Sequence, residues 1–149
     1  MEFSQNDANL TLAMPGPRVD ENFDPDISKK FEGKEVVFDF SNLNLMNSTG
    51  IREWLLLLEN LKDRKITYKN CPKIFVLVMN MVKGVVSENV TVESFYVPFY
   101  DPETDDEIDV LMSPADIGQN LEVPEQKTKD GRPLEFDDVA EKYFQFLKM

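Results

Sequence analysis

Three features of the sequence predict an α/β fold with a central mixed β-sheet and helices packed on it. Strand-like and helix-like segments alternate over residues 35–100, the pattern of a sheet covered by crossover helices. Glu35 to Phe40 is a short run, apolar on both sides apart from Asp39, as expected of a buried parallel strand. Residues 49–62 carry Ile51, Trp54, Leu55, Leu58 and Leu61 at helical spacing, which marks the buried stripe of an amphipathic helix.

The remaining elements follow from local chemistry. Glu2 to Gln5 and Leu10 to Met14 flank the turn-forming cluster Asn6-Asp7-Ala8-Asn9, so a short hairpin opens the chain. Pro15-Gly16-Pro17 ends the second strand, and Asp26 to Phe31 supplies a helical turn. Ser48 or Thr49 caps the helix at residues 49–62, because a hydroxyl there accepts from the unpaired first-turn amides. Ile66 to Lys69 reads as a strand. Cys71-Pro72 opens a second helix through Val86, with Ile74, Leu77, Val78, Met81 and Val85 on one face. Val76 and Met79 fall outside that stripe, and cover by the C-terminal segment is expected for them. Val90 to Tyr100 is rich in β-branched and aromatic residues and pairs with Glu107 to Met112 across an acidic turn. Residues 114–133 read as a loop. An amphipathic helix from Asp138 closes the chain, with Asp138 to Glu141 as a capping box and Val139, Ala140, Tyr143, Phe144 and Leu147 on its apolar side.

Composition removes several classes of function. The chain has 149 residues, no histidine and one cysteine, so histidine-based catalysis, imidazole-ligated metals and thiolate cages are not expected. The net charge of −12 argues against nucleic acid, whose phosphates require clustered Lys and Arg. No apolar run is long enough for a membrane span, and Met1 to Asp7 lacks the features of a signal peptide. A lone Cys71 excludes an internal disulfide and suits a reducing compartment. The expectation is a cytoplasmic, non-enzymatic protein with no cofactor and no bound metal, its oligomeric state left open.

The succession Val36-Val37-Phe38-Asp39-Phe40-Ser41, then Leu45-Met46-Asn47-Ser48-Thr49-Gly50-Ile51, then the leucine-rich helix resembles the STAS (sulfate transporter and anti-sigma factor antagonist) family. There a strand ending near Asp-Leu-Ser leads to an Asp-Ser-x-Gly loop and a helix. Gly16 to Asn22 looks like the family's turn after the opening strands. The likeness spans residues 1–96, leaving residues 97–149 as a C-terminal extension packed on that domain. The resemblance implies partner-switching signalling, with an anti-sigma factor or a serine-kinase-type protein as partner and phosphorylation at Ser48. Asn47 departs from the family pattern, where an acidic residue is usual. Partner contacts are expected at Asn47, Thr49, Gly50, Arg52, Glu53 and Leu56. Leu56 enters because it lies off the buried stripe of the helix that starts beside Ser48. A scaffolding role without phosphorylation, exercised through the C-terminal extension, and small-ligand sensing are the alternatives.

The extension has a likeness of its own. Tyr96 to Tyr100, a hairpin, and Gly131 to Phe136 look like a rubredoxin-like or zinc-ribbon knuckle pair, but its cysteine positions hold Asp101, Thr104, Lys127 and Asp130. A metal-free hairpin pair held by packing is therefore expected. Alternating acids from Asp101 to Asp109 suggest a calcium loop, yet Asp106 and Met112 stand where such a loop needs Gly and Glu. A solvated acidic turn is the expectation.

Overall fold

Strand pairing follows the placement of apolar residues. In a computed structural model, which describes residues 1–7 and 9–148 with the side chains of Asn6 and Asp7 set aside, β1 (Glu2–Asp7) and β2 (Leu10–Met14) form the expected antiparallel hairpin. The turn joining them includes Ala8, which lies outside the described residues. After Pro17 come the short β3 (Arg18–Val19) and a 3-10 turn over Pro25–Lys30. β4 (Glu35–Asp39) then pairs parallel with β2. β5 (Leu45–Met46) pairs parallel with β3 and delivers the chain to α1 (Ser48–Asn60). β6 (Lys65–Lys69), α2 (Lys73–Met81) and β7 (Val90–Val92) complete a five-stranded mixed sheet of order β1-β2-β4-β6-β7. β8 (Phe95–Tyr100), β9 (Glu107–Met112) and β10 (Glu135–Phe136) form a second, antiparallel sheet of order β10-β8-β9. α3 (Ala140–Tyr143) and a 3-10 turn over Gln145–Lys148 close the chain. The protein is an α/β fold with a mixed central sheet.

The central sheet buries one face against an aromatic cluster. Val36 and Phe38 of β4, and Ile66 and Tyr68 of β6, point into it, whereas Val37 and Thr67 on the other face are only half-buried. The prediction of a strand buried on both faces is thus correct for its parallel pairing and too strong for its burial. Phe40 stacks on Phe75 at a centroid distance of 4.0 Å, and Phe38 meets Trp54 edge-on at 4.7 Å. The polar atoms in this cluster are used: Trp54 Nε1 donates to Tyr68 Oη (3.3 Å), and the Tyr68 hydroxyl donates to the Val85 carbonyl (2.6 Å). Burial pushes the Tyr68 phenol far up, so it remains a neutral donor.

Both long helices differ from expectation in the face they bury. On α1 the buried residues are Gly50, Trp54, Leu57 and Leu58, with Leu61 buried just past its end. Leu55 and Ile51, predicted to be core, are half-buried at the margin. On α2 the buried set is Phe75, Val76, Val78 and Met79, while Ile74, Leu77 and Met81 are exposed, the last two by 58% and 73%. Periodicity cannot separate these choices, because α2 is apolar nearly all round and residues 74, 77 and 81 form as regular a stripe as 75, 78 and 79. Phe75 decides the matter by stacking on Phe40. Asn80 seals the orientation, since its Nδ2 donates to the Tyr143 carbonyl (2.9 Å) and its Oδ1 accepts from Phe146 N (2.8 Å). α2 also ends at Met81 instead of continuing to Val86, after which the chain reverses through Gly84 (φ 98°).

The predicted strand over residues 90–100 divides at Glu93-Ser94. Ser94 Oγ accepts from Asn70 N (2.8 Å), and this two-residue break hands the chain from one sheet to the other. β8 runs straight through the position where the two predicted parts of the chain meet. At the C-terminus the helix is a single α turn. Its predicted capping box is absent: Asp138 Oδ1 accepts from the adjacent Val139 N (2.6 Å), and Val139 is exposed instead of apolar core. Phe95, Phe136, Tyr143, Phe144 and Phe146 form a second aromatic cluster that seats this segment on α2 and β8.

The knuckle-like turns at residues 101–105 and 128–131 do meet, and the contacts that join them are ionic where packing was expected. Arg132 Nη1 contacts the carboxylates of Asp101 (2.8 Å) and Glu103 (3.0 Å), while its Nε donates to Asp130 (3.1 Å). Among the described residues no cluster of His, Cys, Asp or Glu is arranged to hold a metal ion. Nor is any helix there long and apolar enough to cross a membrane.

Candidate functional site

The Asn47-Ser48-Thr49-Gly50 segment sits where β5 turns into α1, and the preceding backbone fixes it firmly. Phe40 N donates to the Lys69 carbonyl (3.0 Å) and Leu43 N to the Phe40 carbonyl (3.0 Å), which turns the chain off β4. Asn44 N and Leu45 N then share the Pro17 carbonyl, and Asn47 N reaches the Val19 carbonyl (3.3 Å). The first turn of α1 therefore rests on β3.

Gly50 makes that seating possible. A Cβ on this residue would lie 1.8 Å from the Val19 carbonyl oxygen, so only glycine permits the approach. Gly50 is buried for this reason, and its place in the site is beneath the surface. Asn47 does the capping that was assigned to Ser48 or Thr49. Its backbone is extended (φ −100°, ψ −179°), its Oδ1 accepts from Gly50 N (2.8 Å), and its carbonyl accepts from Ile51 N (2.9 Å). Asn outranks Thr as a cap, and with Asn in the extended position the helix begins one residue earlier, at Ser48.

Ser48 is thereby left without a structural task. It is exposed at the first position of α1, and its hydroxyl makes no hydrogen bond among the described residues. Thr49 is exposed beside it. Arg52 and Leu56 lie four and eight residues further on, so with Ser48 they mark one outward stripe of the helix. Both are exposed, Leu56 by 49%, and Arg52 has no carboxylate partner within 4 Å among the described residues. Glu53 is half-buried.

One neighbour escaped the sequence reading. Asn47 Nδ2 donates to Glu21 Oε2 (3.1 Å), which brings a carboxylate to the residue next to Ser48. Beside Glu21, Asp20 is buried: its Oδ1 accepts from Asn22 N (3.0 Å) and its Oδ2 from Arg18 Nε (3.0 Å). The amide of Asn22, aided by the Arg18 guanidinium, holds the Asp20 carboxyl below the usual carboxylate range. Arg18, Asp20, Asn22, Phe23 and Ile27 also line a shallow pocket of about 340 Å³. No local signal couples residue 21 to residue 47, because the link exists only once β3 and β5 pair.

A larger groove of about 620 Å³ runs between α2 and the C-terminal segment, lined by Ile74, Leu77, Met81 and Tyr143 with Lys73 and Lys142 at its rim. Cys71 is buried and burial pushes its thiol well up, the opposite of the exposed, thiolate-favouring setting of a reactive cysteine.

Comparison of the chain with protein-family models, with curated proteins and with solved structures gives no match.

Proposed function

We propose that this chain is a non-enzymatic protein–protein interaction module of partner-switching type, similar to the STAS anti-sigma factor antagonists, with Ser48 as the phosphorylated control residue. The observation that carries the reading is the division of labour at the start of α1. Asn47 satisfies the helix cap, so Ser48 presents a free hydroxyl on an exposed helix terminus. A phosphate there would add about −1.5 to −2 charges at the positive end of the helix dipole, without breaking any existing hydrogen bond. The order of the central strands, a hairpin followed by parallel strands with α1 and α2 between them, also agrees with a STAS-like domain. Asn47 in place of an acidic residue is compatible with this role, because Glu21 brings a carboxylate within 3.1 Å of the Asn47 side chain.

In this reading the partner, an anti-sigma factor or a serine-kinase-type protein, contacts Ser48, Thr49, Arg52 and Leu56 on the outward stripe, with Asn47, Glu53 and Glu21 at its margin. The test is capture of partners from the native cell on wild-type, Ser48→Ala, Ser48→Asp and Leu56→Asp bait, with intact mass measured on the wild-type chain. One phosphate mapped to Ser48 is expected, with binding kept by Ser48→Ala and weakened by Ser48→Asp and by Leu56→Asp. Equal capture by all four baits, with no phosphate on Ser48, would remove this residue from the control role.

A further inference from the structure

The second sheet ends in a strand whose outer edge is open. Among the described residues β9 pairs only with β8, in the register Tyr100↔Glu107, Pro98↔Asp109 and Tyr96↔Leu111. The direction of the β8 backbone shows which β9 groups are free. Tyr96 N donates to the Cys71 carbonyl (2.9 Å), the Pro98 carbonyl accepts from Asp137 N (2.9 Å), and Tyr100 lies opposite Glu135 of β10. The even-numbered residues of β8 thus aim their main-chain groups away from β9. In an antiparallel ladder the opposing residues share that alternation. Phe95, Val97 and Phe99 bond to Met112, Val110 and Ile108, and Glu107, Asp109 and Leu111 point their N–H and C=O groups outward.

Those three residues also have exposed side chains, with Leu111 48% exposed. The edge is strongly anionic. Asp101 and Glu103 are taken up by Arg132, but Asp105, Asp106, Glu107 and Asp109 have no Lys or Arg nitrogen within 4 Å among the described residues. Arg132 also fixes the hairpin that presents them, so the edge is held ready and not ordered on contact.

We propose that the free edge of β9 is a docking site for an extended, Lys- or Arg-bearing segment of a protein partner, which adds to the sheet as a fourth strand. Strand addition supplies the main-chain bonds. Cations opposite Glu107 and Asp109, with an apolar side chain opposite Leu111, supply selectivity through cross-strand pairs. A second copy of this chain is the wrong occupant, because antiparallel β9–β9 pairing sets carboxylate against carboxylate between two molecules that each carry a net charge of −12. The inference is independent of Ser48, which lies on the other sheet's side of the fold.

The test uses the ¹⁵N-labelled full chain titrated with a peptide of about ten alternating Lys and Thr residues, a strand's length. Two relatives of the peptide serve as controls: one with Glu for Lys, and one of unchanged charge but N-methylated at every residue, so that neither strand edge can donate. Saturable shifts and slowed amide exchange at Glu107, Asp109 and Leu111 are expected with the lysine peptide. Affinity should fall about tenfold or more for either control, since like charges in contact are strongly disfavoured and N-methylation removes the strand's donors. The Glu107→Lys/Asp109→Lys variant should reverse the preference toward the glutamate peptide. Equal binding of the N-methylated peptide would show a charge contact without strand addition and overturn the proposal. So would shifts that avoid β9, or an unliganded dimer whose interface is this edge.

Discussion

Asn47 and Ser48 are adjacent polar residues with opposite duties. Asn47 Oδ1 accepts from Gly50 N and its Nδ2 donates to Glu21, while the Ser48 hydroxyl has no partner among the described residues. The difference has a direct energetic consequence. Replacing a capping Asn by Ala costs about 0.5–2 kcal/mol, and an exposed substitution without such a bond stays within about 0.5 kcal/mol. Urea unfolding of Asn47→Ala should therefore show a lowered midpoint, whereas Ser48→Ala should overlay wild type. A larger loss for Ser48→Ala than for Asn47→Ala would mean that the cap is Ser48, and the argument for a free control hydroxyl would go with it. The sequence pattern points to Ser48 or Thr49 as the cap and does not single out Asn47. Which one caps is decided by the backbone angle at residue 47, and that follows from β3–β5 pairing that no local pattern records.

The elements were legible wherever their pattern was one-sided. The hairpin, β4, β6, α1 and β9 lie close to where apolar spacing and turn residues put them, although α1 buries Leu57 in place of Ile51 and Leu55, and β4 is fully buried on one face only. α2 was not legible in this way, since both of its stripes are apolar and stacking of Phe75 on Phe40 selects between them. The C-terminal helix was overread, because aromatic residues near Phe144 satisfy a helical pattern while serving a cluster built from three separated segments. That cluster makes a prediction for the whole terminal element. Phe144 is fully buried, meets Phe95 edge-on at 6.0 Å and stacks on Phe136 at 5.8 Å. Phe144→Ala should cost about 3–5 kcal/mol. If the C-terminal segment folds as one unit with the central sheet, this loss should appear as a lower unfolding midpoint with an unchanged denaturant slope. Loss of amide protection confined to residues 134–148, with the midpoint unchanged, would instead mark that segment as a separately opening unit.

For the whole molecule the dominant long-range fact is charge: 28 acidic against 16 basic residues, and an isoelectric point near 4.4. Two effects of opposite sign should shape stability as pH falls. Between neutrality and the isoelectric point, protonation of scattered surface carboxylates relieves self-repulsion, which favours the folded state and is weakened by salt. Below that range a second effect takes over. The Asp20 carboxyl is held low by the Asn22 amide and Arg18. The Asp101 carboxyl is held low by the Glu103 amide and, against its own desolvation, by Arg132. Asp130 is held low by Thr128 and Arg132; at Asp39, burial pushes upward but hydrogen bonds from Asn70 and Ser41 outweigh it. Groups whose pKa is lower folded than unfolded stabilise fully above the unfolded value, about 3.9 for Asp. They lose that contribution as pH falls through the lower folded value. Unfolding midpoints measured from about pH 7 down to about pH 2 should thus hold or rise gently to near the isoelectric point and then drop. Added salt should flatten the first limb more than the second, because the paired carboxylates are short-range contacts. Asp101→Asn should make the acid limb shallower, since one of the titrating contacts is already gone. A stability that keeps rising to the lowest pH would show that repulsion among the acids, and not the four anchored carboxylates, controls the acid side.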